Sequence, residues 1–91
     1  MHNNSLITVI MSTHNSEKYI HKSIESILNQ SYENLEFLVI DDHSTDNTNE
    51  IVKNFRDIKL ITNLENMGLG FNRNLAIKNC KNEIVAAIDA D

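Results

Sequence analysis

Four short apolar runs rich in β-branched residues, each followed by a polar loop, confine this 91-residue chain to a narrow set of folds. Residues 6–11 (LITVIM), 35–40 (LEFLVI), 58–62 (IKLIT) and 83–88 (EIVAAI) are nearly continuous in apolar side chains, which suits strands buried on both faces. Within residues 17–30, Ile20, Ile24, Ile27 and Leu28 fall on one stripe of an amphipathic helix, with Ser16 as the expected N-cap. The polar turn over residues 41–49 offers Ser44, Thr45 or Asp46 as caps for a second helix carrying Ile51, Val52 and Phe55. Gly68 and Gly70 punctuate the next loop, and a third helix is expected over residues 71–80. The order is β-α-β-α-β-α-β.

Strands alternating with helices over such short connections force parallel pairing through right-handed crossovers. The expected fold is therefore α/β: a Rossmann-like parallel sheet of about four strands, order 3-2-1-4, with flanking helices. In such a sheet the topological switch lies between strands 1 and 4, and ligands bind near it at the carboxyl ends of the strands. The chain has room for one small domain, and its 41% hydrophobic content is that of a globular protein. A net charge of −5 and a pI near 5.2 argue against non-specific binding to nucleic acid or to an anionic membrane. An anionic ligand must then be held locally, by a metal, an arginine or helix N-termini. The lone cysteine, Cys80, allows no intrachain disulfide and fits a reducing compartment. No apolar stretch approaches the roughly 18 residues of a membrane span and no signal peptide is recognisable, so a cytoplasmic location is expected.

The topology brings four polar clusters to one edge of the sheet: Ser12, Thr13, His14 and Asn15 after strand 1, Asp41 to Ser44 after strand 2, residues 66–74 after strand 3, and Asp89 and Asp91 after strand 4. Asp41 and Asp42 are adjacent like charges, unfavourable unless each carboxylate has separate work. One can accept an N–H from a nucleobase or bind a ribose hydroxyl while its neighbour caps the following helix. Asp89 and Asp91 are one residue apart, so in extended backbone both side chains point the same way. Two carboxylates on one side suit a hard divalent cation, Mn²⁺ or Mg²⁺, that is shared with substrate phosphates.

With these residues in place the chain resembles the family 2 glycosyltransferases of GT-A fold. The resemblance rests on four ordered motifs: Ser12-Thr13-His14-Asn15 after the first strand; Leu28-Asn29-Gln30-Ser31-Tyr32 closing the first helix and Asp41-Asp42-His43-Ser44-Thr45-Asp46 after the second strand; Asn66-Met67-Gly68 with Arg73-Asn74; and Asp89-Ala90-Asp91. His14 stands where the family has Tyr, and His43 where it frequently has Gly. By this resemblance Thr13 and Asp42 contact the nucleobase, with His14 and Asn15 beside them and Asp41 close by. Arg73 faces the nucleotide, Asp89 the ribose, and Asp91 with Asp89 the metal. The resemblance also implies a nucleoside diphosphate sugar as ligand, with UDP-sugars the leading class, a carbohydrate or other hydroxyl acceptor, and a place in cell-surface polysaccharide biosynthesis.

The acceptor-binding half and the catalytic base of such an enzyme are not among these residues. The expectation is thus that residues 1–91 are a nucleotide-sugar-binding subdomain ending at the Asp-x-Asp motif, inactive in transfer by itself, weak in nucleotide binding and prone to self-association along an uncovered sheet edge. Two other readings compete. A receiver-like Mg²⁺-binding signalling module needs acids after strands 1 and 3, whereas here they follow strands 2 and 4. A dinucleotide-binding oxidoreductase needs a Gly-x-Gly-x-x-Gly loop after strand 1, and that loop contains no glycine.

Overall fold

A computed structural model describes the backbone of residues 7–30, 35–80 and 84–90, and the side chains of residues 8–30 and 35–80. Leu6, Ser31, Tyr32, Glu83 and Asp91, all named above, lie outside the described residues. The elements run β1 (Ile7–Thr13), α1 (Ile20–Leu28), β2 (Leu35–Asp41), α2 (Thr48–Lys53), β3 (Ile58–Thr62), α3 (Leu69–Asn79) and β4 (Ile84–Ala90). Every pairing is parallel and the sheet order is β3-β2-β1-β4, as the sequence leads one to expect.

Strand periodicity divides the core into two layers. Val9, Met11, Phe37 and Val39 face one side, where they meet Ile20 and Ile24 of α1 and Val52 of α2. Ile10, Leu38 and Ile40 face the other, against Ala76 of α3. Among the described residues, the layer under α1 and α2 is the larger, and it holds Phe37, the bulkiest of the fully buried side chains. The two crossovers that step outward from β1 thus use one face of the sheet, and the one that returns to β4 uses the other. This is what right-handed connections demand when the direction of travel reverses.

Local boundaries depart from the sequence reading in instructive ways. Helix α1 begins at Ile20 rather than near residue 17, and Ser16 does not cap it with its side chain. The Ser16 carbonyl instead accepts the N–H groups of Tyr19 (2.9 Å) and Ile20 (2.8 Å), while its hydroxyl donates to the His14 carbonyl. At α2, Asp46 wins among the three candidate caps: its carboxylate accepts the Thr48 N–H at 2.9 Å, one residue ahead of the N-cap Asn47. Strands β1, β2 and β4 each run past their apolar stretch into the polar motif, reaching Thr13, Asp41 and Ala90. Ladder hydrogen bonding to the neighbouring strand outweighs side-chain polarity there.

Candidate functional site

The carboxyl ends of β1 and β2 are tied together before any ligand is considered. The Asp42 N–H donates to the Thr13 carbonyl at 2.8 Å, and the Asn63 N–H to the Asp41 carbonyl at 2.9 Å, so the ladder continues past the last regular pair of each strand. Above this floor opens a cleft of ≈ 260 Å³ lined by Ser12, Thr13, His14, Asp42, Asn66, Gly68 and Leu69. It sits at β1, beside the switch between β1 and β4, where ligand sites in open α/β sheets are found. The β1–β4 register sets Ser12 opposite Asp89 and Thr13 opposite Ala90, so the backbone of the Asp-x-Asp segment begins at the same sheet edge.

The two adjacent acids have entirely separate partners, which removes the objection to placing them together. Asp41 is fully buried and structural: one oxygen accepts the Ser44 N–H at 3.0 Å, the other the Asn49 Nδ2–H at 2.8 Å, and it does not line the cleft. Asp42 faces the opposite way. Its Oδ1 accepts the Met67 N–H (2.7 Å) and Asn63 Nδ2–H (2.9 Å), and its Oδ2 accepts the Gly68 N–H (3.0 Å). Burial raises the Asp42 pKa, but the hydrogen bonds from Met67, Asn63 and Gly68, with a further contribution from Asn72, outweigh it, and the net shift is below the ordinary 3.8. The group is therefore a carboxylate at neutral pH. Each carboxylate oxygen can accept about two hydrogen bonds, so Oδ1 is saturated and Oδ2 retains one open position.

Thr13 supplies the complementary feature. It is 3% exposed, and its hydroxyl oxygen is buried without a hydrogen-bond partner although the residue lines the cleft. A buried unsatisfied hydroxyl costs about 1–3 kcal/mol, and such groups in native structures call for an explanation. His14 borders the same space. Its Nδ1 lies 2.8 Å from the Asp42 carbonyl oxygen, which can only accept, so Nδ1 carries a proton.

Asn15 is occupied differently. It adopts a left-handed backbone (φ 49°), its N–H donates to the Ser44 hydroxyl at 2.8 Å, and its Oδ1 accepts the Thr45 N–H at 2.7 Å and the Asp46 N–H at 3.3 Å. It stitches the loop after β1 to the loop after β2, which sequence spacing could not reveal. Arg73 is exposed on α3 and is not among the lining residues. For Asp89 the description stops at the backbone. Among the described residues, no group of three or more His, Cys, Asp and Glu could hold a metal ion.

Several site roles were not legible in the sequence. Met67 and Gly68 stand in the motif of residues 66–68, but they act through backbone N–H groups, which no side-chain pattern records. Gly68 also has φ 87°, and a Cβ there would meet nothing within 4 Å, so the requirement for glycine is conformational rather than steric. Asn63 and Asn72 are polar residues hidden in an asparagine-rich chain, and only their burial marks them out.

The family model described as glycosyl transferase family 2 matches residues 8–91. The chain belongs to glycosyltransferase family 2. Among its relatives, this family 2 chain is 43% identical over 95 residues to a glycosyltransferase of Haemophilus influenzae, spanning 100% of this chain and 29% of that protein. It is 43% identical over 88 residues to WfgD of Escherichia coli, a UDP-Glc:alpha-D-GlcNAc-diphosphoundecaprenol beta-1,3-glucosyltransferase, spanning 94% of this chain and 35% of the relative. The structure superposes on S. aureus TarS 1-349 in complex with UDP with a TM-score of 0.87 at 36% identity, covering 96% of this chain and 28% of that one. On the mannosyltransferase PcManGT from Pyrobaculum calidifontis in complex with GDP-Man and Mn2+ the TM-score is 0.81 at 29% identity, covering 93% and 27%. The architecture is that of the GT-A glycosyltransferases, and the chain spans about a third of the length of the relatives it matches. Membership in this family removes the receiver-like and dinucleotide-binding readings. Among the described residues, no helix is long and apolar enough to cross a membrane.

Proposed function

We propose that the cleft at the ends of β1 and β2 binds the base of a nucleoside diphosphate sugar, a UDP-sugar, as the donor half of an inverting glycosyltransferase. The whole enzyme passes the sugar to a carbohydrate or other hydroxyl acceptor by single displacement. The observation that carries this reading is the pairing of a buried hydroxyl lacking a partner, on Thr13, with a carboxylate retaining one open acceptor position, on Asp42. A donor beside an acceptor is the complement of the imide edge of uracil, where an N–H stands next to a carbonyl. Guanine offers the same N–H and carbonyl pair, and cytosine and adenine offer an amino N–H beside a ring-nitrogen acceptor, so the pair suits a base edge in general and the choice of uracil is supported by the UDP-linked relatives. The His14 ring at the cleft wall supplies a face on which a base can stack.

The donor set at the end of β4 fits a hard cation, because Asp89, near the end of the strand paired with β1, and Asp91, two residues on in sequence, are both carboxylates. Asp91 and Asp89 would hold Mn²⁺ or Mg²⁺ there. Such an ion neutralises the charge that grows on a departing nucleoside diphosphate. Asn15 keeps the His14 loop against the loop after β2, and Asp42 holds the loop carrying Met67 and Gly68. Both contacts shape the cleft before the ligand arrives, which lowers the ordering cost of binding. We assign the catalytic base and the acceptor pocket to the remaining length of the longer relatives, and residues 1–91 to donor binding. The lone Cys80 favours a reducing, cytoplasmic setting.

The test is Thr13→Val, a nearly isosteric change that deletes only the hydroxyl. Removing a buried unsatisfied group is expected to leave stability unchanged or raise it by up to about 1 kcal/mol, while UDP affinity falls about two- to tenfold. Calorimetry with UDP, GDP, CDP and ADP in Mn²⁺ buffer, alongside urea unfolding, separates the two effects. Equal UDP affinity for the variant and the wild type would overturn the reading, and tighter binding of GDP, CDP or ADP than of UDP would overturn the choice of uracil.

A further inference from the structure

Asn63 and Asn72 form a buried amide pair behind the cleft that neither the family motifs nor the sequence reading singled out. Asn63 follows β3 directly and is pinned by its own N–H on the Asp41 carbonyl, at 2.9 Å. Its Nδ2 donates to Asp42 Oδ1 at 2.9 Å and to Asn72 Oδ1 at 2.6 Å. An amide nitrogen has two hydrogens and no acceptor capacity, so both are spent, one on each oxygen. Turning the Asn63 amide over would set its oxygen against two other oxygens. The carboxylate therefore fixes the orientation of Asn63, and Asn63 fixes that of Asn72.

The pair also carries electrostatic weight. The described ion pairs are His21–Glu25 and Lys53–Glu50, both on the surface, and no Lys or Arg pairs with Asp42. The Asp41 carboxylate is turned away toward Ser44 and Asn49, and the His14 Nδ1–H is spent on the Asp42 carbonyl. Among the described residues, the Asp42 charge is thus held by N–H donors. Of its three donors, Met67 and Gly68 are backbone groups of the loop itself, and Asn63 is the side chain that reaches in from the sheet.

We propose that Asn63, backed by Asn72, is a positioning residue: it saturates Oδ1 of Asp42 and locks the carboxylate so that Oδ2 remains the open acceptor for the ligand. This rests on the nucleotide reading for what the acceptor is used for, but the positioning itself does not. Asn72 acts on Asp42 in two ways, by holding the Asn63 amide and through a smaller contribution of its own to lowering the Asp42 pKa.

The carboxyl-carbon NMR titration of Asp42 in the full 91-residue chain reads the positioning directly, and chemical-shift titration with uridine, which carries no phosphate, reads the use. Asn63→Ala is expected to raise the Asp42 pKa by about one unit, the worth of one hydrogen bond to a charged group, and to weaken uridine binding several-fold. Asn72→Ala is expected to do the same to a smaller extent, and the double variant to shift Asp42 somewhat further than Asn63→Ala alone. If Asn63→Ala is too unstable to titrate, Asn63→Ser, which keeps a donor at that position, is expected to fall between the wild type and Asn72→Ala. An Asp42 titration unchanged in folded Asn63 variants, or a larger shift in Asn72→Ala than in Asn63→Ala, would overturn the proposal. Should the titration shift as stated while wild type binds no uridine, the positioning stands and the nucleotide reading falls.

Discussion

Replacing Asp42 by Asn tests how much of the fold hangs on this one carboxylate. It receives three hydrogen bonds, from Met67 N–H at 2.7 Å, Asn63 Nδ2–H at 2.9 Å and Gly68 N–H at 3.0 Å. A carboxamide has a single oxygen. If that oxygen takes the place of Oδ1, the Met67 and Asn63 bonds survive without charge assistance, and the new NH₂ faces the Gly68 N–H, donor against donor. If it takes the place of Oδ2, two bonds are lost instead of one. Hydrogen bonds to charged groups contribute about 1.5–3 kcal/mol against about 0.5–1.5 for neutral ones, and a stranded donor costs about 1–3. The cleft lets water reach one side of the group, which places the total at the low end, roughly 2–4 kcal/mol. For a domain of this size that lowers Tm by roughly 10 °C or more. The pH dependence has a definite sign. Because the folded pKa lies below the ordinary 3.8, the stabilisation is complete above that value and is lost as pH falls through the folded pKa. Urea unfolding followed by circular dichroism at pH 7, and in steps down to pH 3, should show a gap between wild type and Asp42→Asn that narrows in acid. A gap below about 0.5 kcal/mol at pH 7, or one that does not narrow, would refute the reasoning and make Asp42 a ligand contact without a structural role.

Three further outcomes follow from the same geometry. His43 occupies the left-handed region at φ 61°, where a side chain costs about 1–2 kcal/mol, so His43→Gly should stabilise by up to about 1 kcal/mol in urea unfolding once the entropy of glycine is set against it. Asn15→Ala removes the acceptor for the Thr45 and Asp46 N–H groups and puts alanine at φ 49°; a loss of about 1–2 kcal/mol is expected by thermal melting, with amide exchange quickening at Thr45 and Asp46. If Asp91 and Asp89 hold the cation, EDTA or Asp91→Ala should weaken UDP binding at least tenfold in calorimetry while leaving uridine binding unchanged, and equal loss for both ligands would remove the metal from the phosphates.

The fold was legible in the sequence because buried parallel strands need continuous apolar runs and right-handed crossovers leave few ways to connect them. The four runs, read with that rule, sufficed for the β3-β2-β1-β4 order and for the edge at which Thr13, His14 and Asp42 meet. The left-handed backbone at His43 likewise explains why the family favours glycine there. What the linear pattern does not contain is which polar group answers which. Asp41 and Asp42 look interchangeable in sequence, yet one closes a turn and the other borders the cleft, because successive strand residues point to opposite sides. Asn15 reads in sequence as a ligand contact, and its hydrogen bonds to the Thr45 and Asp46 N–H groups, which join the two loops, are not visible there. Asn63 and Asn72, nine residues apart, become partners of Asp42 only when α3 packs on the face opposite α1 and α2. Local periodicity determines the elements and their order; hydrogen-bond pairing among buried polar groups depends on distances between elements far apart in the chain, and only tertiary packing sets those.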